Sequence, residues 1–202
     1  HNVQAVFTQA EKPAGRGMKL KKTAIHYTAE NLKLPVYTPN NLDKNKINLL
    51  LKNFDIDFIV VVAYGLILPR QILQIPKFIA INGHASLLPK WRGSAPIQRS
   101  IEAGDCETGC TAMLMEPGLD NGPILLQKKL KVFKDDDSIS IHKKLSYLTA
   151  DCLLQAVDKY FKGEIEPKIQ NPLQVSYAKK LVKEEGLIDW TLSSFKIHNK
   201  LR

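Results

Sequence analysis

The stretch Phe78-Ile79-Ala80-Ile81-Asn82-Gly83-His84-Ala85-Ser86-Leu87-Leu88-Pro89-Lys90-Trp91-Arg92-Gly93 decides how this chain is read. Its first five residues read as a strand, which gives way at once to an amide, an imidazole and a Gly-flanked loop. Upstream, Asp57-Phe58-Ile59-Val60-Val61-Val62-Ala63 is a nearly continuous apolar run. It lacks the polar alternation of a half-exposed strand, as a strand covered on both faces by helices requires. A helix is predicted between these two strands, near residues 69–75, with Pro69 suited to its first turn. Earlier still, residues 3–7 read as a strand, 23–33 as a helix, 34–37 as extended and 47–53 as a helix. This βαβαβ alternation predicts an α/β protein with a doubly wound, mostly parallel sheet, in which ligands bind beyond the carboxyl ends of the strands. Asn82 and His84 fall at such an end.

Downstream, residues 96–103 read as a helix, and 108–115 and 124–132 as an antiparallel pair of strands. Their connection, Glu116-Pro117-Gly118-Leu119-Asp120-Asn121-Gly122-Pro123, puts Asp120 in a Gly- and Pro-rich loop. The longest helix is predicted over 138–162, with Asp135-Asp136-Asp137 at its positive end and Gly163 terminating it. Beyond it the sequence is polar and irregular until 178–185 and a short amphipathic end at 193–202. Residues 1–163 are therefore expected to form one domain and 164–202 a linker with the start of a further region. No internal repeat or low-complexity tract interrupts this plan.

A chain of 202 residues, 44% hydrophobic, supports one substantial core. Its longest apolar run, residues 58–63, is far too short to cross a bilayer, and no export signal precedes it. A cytoplasmic or organelle-matrix setting is expected, without membrane association. Cys106, Cys110 and Cys152 lack zinc spacing and are expected to be reduced and structural. The net charge of +9, from 29 basic and 20 acidic residues, suits a polyanionic partner, and equally a surface that is merely rich in solvated lysine.

Asn82 and His84 are two residues apart, so an extended backbone points both side chains to one side. An amide donates to a developing oxyanion and an imidazole moves a proton near neutral pH. Attack of an amine on a carbonyl needs both functions. On these residues alone, His84 is equally a capped structural residue. A carboxylate that orients the ring would favour catalysis, and Asp120 is the best-placed candidate. Asp105 reads as a turn residue, and Glu116 lies just inside a strand end.

The run His84-Ala85-Ser86-Leu87-Leu88-Pro89, with Asp120-Asn121-Gly122-Pro123 downstream, resembles the signature of enzymes that use 10-formyltetrahydrofolate. These include glycinamide ribonucleotide, aminosugar and methionyl-tRNA formyltransferases and formyltetrahydrofolate hydrolase. The resemblance implies a Rossmann-like fold of the formyltransferase type and a catalytic triad at Asn82, His84 and Asp120. Ser86, Leu87, Leu88 and Pro89 would line the folate side of the pocket. The flanks Trp91 to Arg99, Phe7-Thr8-Gln9, Pro13-Ala14-Gly15-Arg16-Gly17, Val62 to Pro69, Tyr177-Ala178-Lys179-Lys180 and Ile188-Asp189-Trp190 resemble the methionyl-tRNA branch, so that the likeness covers essentially the whole chain. It implies formyl transfer from 10-formyltetrahydrofolate to the amino group of initiator methionyl-tRNA, for translation initiation. Arg16, Lys19, Lys21 and Lys22 would then contact tRNA from a mobile basic loop.

The same resemblance implies a first strand with its turn before residue 1, and a small β-barrel domain after residue 202. The chain is thus expected to be a truncated piece, a monomer, with folate as co-substrate, no metal and no covalent enzyme intermediate. A sugar-nucleotide formyltransferase, a formyltetrahydrofolate hydrolase and a non-catalytic RNA-binding protein are the rival readings.

Overall fold

The computed structural model describes residues 1–40, 51 and 53–202. Contacts divide the chain into two compact units, residues 1–59 with 63–77, and residues 60–62 with 78–202. The expected helix over 47–53 lies outside the described residues except for Leu51 and Asn53. Among the described residues no helix is long and apolar enough to cross a membrane.

In the first unit, β1 (Val6–Phe7) is followed by a hairpin of β2 (Lys12–Ala14) and β3 (Lys19–Lys21). The hairpin pairs Lys12 with Lys21 and Ala14 with Lys19 around a turn at residues 15–18. The segment expected as a loop is a paired ribbon, because backbone hydrogen bonds flanking the Gly-rich turn satisfy groups that a free loop leaves to water. Helix α1 (Ala24–Asn31) starts at Thr23, whose hydroxyl accepts from the His26 amide. It leads to β4 (Val36–Tyr37), which pairs in parallel with β1. Buried Leu51 and Ile72 form a small core with Phe7, Phe54, Ile56, Ile59, Leu68 and Ile75, and Phe7 stacks on Tyr37 at 5.1 Å. Pro69 caps the short helix α2 (Arg70–Leu73) from outside its first turn.

Strand β5 (Phe58–Val61) is not buried on both faces as its composition suggested. Ile59 packs into the apolar cluster, whereas Val60 and Val62 are 51% and 53% exposed. An apolar run shows what a strand tolerates; whether a second layer covers its other face is a tertiary matter.

The second unit is built on a four-stranded sheet with β5 at one edge. Here β6 is Ile79–His84, β7 the short Arg92–Gly93, β8 Glu107–Leu114 and β9 Ile124–Lys131. Strand β8 runs antiparallel to both β6 and β9, with Asn82 opposite Met113 and His84 opposite Thr111. The α/β architecture expected from the alternation is present, and its main sheet is mixed, antiparallel from β6 through β9. Helix α3 (Pro96–Glu102) carries Pro in its first turn. Helix α4 (Ser138–Phe161) is capped reciprocally, the Asp137 carboxylate accepting from the Ser140 amide and the Ser140 hydroxyl from the Asp137 amide. It packs on β6, β8 and β9, and Ile97, Ile101, Val132, Ile141 and Leu145 form a core where α3 meets it.

Residues 164–202 fold back onto this unit. Ile124 and Lys168 exchange both backbone hydrogen bonds, at 2.7 and 2.8 Å. Strand β10 (Tyr177–Ala178) pairs in parallel with β7. The Arg99 guanidinium on α3 binds Glu185 at 2.6 Å, and helix α5 (Ser194–Leu201) ends where the Arg202 carbonyl accepts from the Ser138 amide. Contacts thus group residues 164–202 with 78–163, and the chain divides by contact near residue 77.

Candidate active site

Strand β6 delivers the first two side chains. A Cβ on Gly83 would meet Leu153 and Thr149 of α4 at 2.7 Å, so the Gly83 side of the strand lies against the helix. Alternation then puts Asn82 and His84 on the face away from α4. His84 is 7% exposed and Asn82 half-buried. Among the described residues the Asn82 amide has no side-chain hydrogen bond, which leaves its N–H groups available.

His84 is held at one ring nitrogen and faces a carboxylate with the other. Nε2 lies 2.8 Å from the Trp91 carbonyl, and a carbonyl only accepts, so Nε2 carries a proton. Nδ1 faces the Asp120 carboxylate at 3.7 Å, an ion-pair separation too long for a direct hydrogen bond. The Asp120 carboxylate instead accepts from the Gly93 amide at 2.9 Å. Asp120 lies in the left-handed region, at φ +48°, as does Trp91 at φ +64°. Such conformations persist in non-glycine residues only when neighbours fix them. For Trp91 the fixing is visible: its amide donates to Ser176 Oγ at 2.9 Å and its indole to Asp105 at 2.7 Å. Asp105, expected as a turn residue, thus also anchors this loop.

Glycine is required at position 93. Its φ is +117°, and a Cβ there would lie 2.7 Å from the Ala178 carbonyl oxygen. That close approach lets β10 pair with β7 and turns the Gly93 amide toward Asp120.

The four residues expected on the folate side divide by exposure. Ser86 and Leu88 are buried and shape the loop: Ser86 Oγ donates to the Lys90 carbonyl at 2.6 Å, and the Leu88 amide donates to Thr111 Oγ1 at 3.0 Å. Leu87 and Pro89 are only partly buried and present the surface of the loop. Gln127 supports the same loop from β9, donating to the Leu88 carbonyl at 2.9 Å.

The four basic residues expected on tRNA lie in the other unit. Arg16, Lys19 and Lys21 are exposed on the hairpin, while Lys22 is paired with Glu30 at 2.7 Å. Cys110 and Cys152 are buried and Cys106 is exposed, all as free thiols. A hydrogen bond between Cys110 and Cys152 holds the Cys110 thiol below its ordinary range and pushes that of Cys152 up. Among the described residues no three His, Cys, Asp or Glu side chains form a group able to hold a metal ion.

Sequence reasoning missed the Trp91 carbonyl, the Gly93 amide, Thr111 and Gln170, whose side-chain amide donates to the Asp120 carbonyl at 2.9 Å, as parts of this arrangement. Two are backbone groups, invisible to residue type, and the other two come from segments distant in sequence.

The profile of the Formyl transferase family matches residues 1–157. A methionyl-tRNA formyltransferase from Marinobacter nauticus is 42% identical over 202 residues, which is 100% of this chain and 65% of that protein. The chain therefore spans about two thirds of that relative's length. Among solved structures, phosphoribosylglycinamide formyltransferase from Anaplasma phagocytophilum superposes with a TM-score of 0.70 at 22% identity, over 82% of this chain and 77% of that one. The formyltransferase PseJ from Anoxybacillus kamchatkensis, solved with tetrahydrofolate and a formamido sugar nucleotide, superposes at 0.65 with 23% identity, over 98% of this chain and 100% of that one. Both likenesses support the fold, and the profile match covers most of the sequence, including His84 and Asp120. The chain belongs to the formyl transferase family.

Proposed function

We propose that this chain is the catalytic part of a protein that transfers a formyl group from 10-formyltetrahydrofolate to the amino group of methionyl-initiator-tRNA. The observation that carries the acceptor is the 42% identity to a methionyl-tRNA formyltransferase along the whole chain. The reaction forms a bond between the methionyl nitrogen and the formyl carbon and breaks the bond from that carbon to the folate nitrogen. The attacking nitrogen loses a proton and the leaving nitrogen gains one.

Each residue at the end of β6 has a place in this chemistry. Asn82 donates to the oxyanion of the tetrahedral intermediate through its unengaged amide. His84 is anchored through Nε2 on the Trp91 carbonyl, so Nδ1 is the ring atom left to take up and give a proton. Once protonated there, the ring adds its charge to oxyanion stabilisation. Asp120 balances that charge from 3.7 Å and helps return the proton to the folate nitrogen. Leu87 and Pro89 offer apolar surface to the folate. Arg16, Lys19 and Lys21 present positive charge to RNA phosphates.

The test is transfer of labelled formyl from 10-formyltetrahydrofolate to methionyl-initiator-tRNA by the full-length protein and its His84→Ala variant. Product from the parent and its loss in the variant support the proposal. Transfer to an aminosugar nucleotide instead, or formate release without an acceptor, would replace it with the sugar or hydrolase reading.

A further inference from the structure

Gln170 lies in the irregular stretch after α4, yet it is only 5% exposed and both ends of its amide are used. Nε2 donates to the Asp120 carbonyl at 2.9 Å and to the Gly122 carbonyl at 2.7 Å. Oε1 accepts from Arg92 Nε at 3.0 Å and from Arg92 Nη2 at 2.8 Å. The orientation of the amide follows from its partners, since a guanidinium only donates and a carbonyl only accepts. All four bonds are buried or partly buried, where an unmet donor or acceptor is costly.

These bonds tie the loop that carries Asp120 to the residue preceding Gly93. Asp120 occupies the left-handed region, and its carboxylate accepts from the Gly93 amide at 2.9 Å while facing His84 Nδ1. Backbone and side chain of Asp120 are thus fixed from two directions, one of them Gln170. We propose that Gln170 is a positioning residue for formyl transfer: it clamps the Asp120 and Gly122 carbonyls against Arg92, so that the Asp120 carboxylate stays on Gly93 and opposite His84. The proposal rests on the reading that Asp120 serves the transfer.

Gln170→Glu in the full-length protein keeps the size and the Arg92 partner. It replaces the two N–H donors with an oxygen that repels both carbonyls. The expected result is a kcat about 10- to 100-fold lower, with KM for both substrates little changed. Combined with Asp120→Asn it slows transfer no further than Asp120→Asn alone, because Gln170 acts through that carboxylate. Amide hydrogen exchange reads the same displacement directly. The Gly93 amide, released from Asp120, exchanges about 10-fold faster, whereas the Ser94 amide, bonded to the Ala178 carbonyl at 3.0 Å, keeps its rate.

An unchanged Gly93 rate overturns the proposal. So does joint acceleration of Gly93 and Ser94, which would mean that residues 170–178 had simply come away. Gln170→Met, which adds no charge, repeats the exchange measurement if the Glu variant does not fold. Exchange needs no substrate, so it decides whether Gln170 holds Asp120 on Gly93 even if the parent transfers nothing to methionyl-tRNA. That second outcome would sink the acceptor reading alone.

Discussion

His84 owes its place to three neighbours of different origin: the strand that carries it, the Trp91 carbonyl at 2.8 Å and the Asp120 carboxylate at 3.7 Å. Removing the ring while keeping the strand should therefore cost chemistry more than folding. His84→Ala is expected to lower kcat of formyl transfer by roughly 10²- to 10⁴-fold, the usual contribution of a positioned acid–base group. Its thermal midpoint, read by calorimetry, should change little by comparison. Gly93 is the opposite case, a residue with no side chain to lose. An alanine there suffers both the φ of +117° and a Cβ 2.7 Å from the Ala178 oxygen. Gly93→Ala should cost about 1–3 kcal/mol in urea unfolding, with more if β10 is displaced. A variant as stable as the parent would mean that the β7–β10 pairing is not held as described.

At the scale of elements, the basic hairpin sets Lys12 directly across from Lys21. Like charges facing each other on a ribbon disfavour it unless a polyanion compensates. Lys19→Gln with Lys21→Gln is thus expected to weaken tRNA binding, and to lower the slope of log K against log salt by about 0.7–0.9 for each phosphate no longer neutralised. Filter binding between about 50 and about 200 mM salt tests this. An unchanged slope would show the ribbon to be a solvated surface only.

The start of α4 gives a pH prediction. Burial of Asp136 disfavours its charge, but hydrogen bonds from Lys144, the Phe133 amide and Ser140 outweigh it and hold the carboxyl below the usual carboxylate range. A folded value below the unfolded one, about 3.9, contributes stability above about pH 4 and loses it as pH falls through the folded value. Lys144→Met should therefore unfold at lower urea than the parent at neutral pH, with the gap closing as acid protonates Asp136 in the folded protein.

At the scale of the whole chain, the sequence suggested a domain ending at Gly163 and a linker beyond it. Residues 164–202, expected as that linker with the start of a further region, contribute Gln170, Ser176 and β10, which hold Asp120, Trp91 and Gly93. Ending the protein after Gly163 is accordingly expected to lower the melting temperature and abolish formyl transfer together. A linker without structural duties would leave the melting temperature where it was.

What the sequence by itself determined was local. Helix α4 was legible to within a residue at each end, because its cap, its apolar period and Gly163 are all local signals. The β8–β9 pair and the strand leading to Asn82 and His84 were legible for the same reason, through runs of apolar residues punctuated by turns. The family signature, carried on His84 to Pro89 and Asp120 to Pro123, was also plain in the residues. What only the tertiary structure decided was whatever depends on a partner distant in the chain. The exposure of Val60 and Val62, the pairing of β10 with β7, and Gln170 bridging Arg92 to Asp120 across 78 and 50 residues are all of this kind. A side chain's type records which bonds it can make, and composition records how much can be buried. Which carbonyl lies within hydrogen-bonding reach of that side chain, or which face goes uncovered, is settled only when packing brings separate segments together.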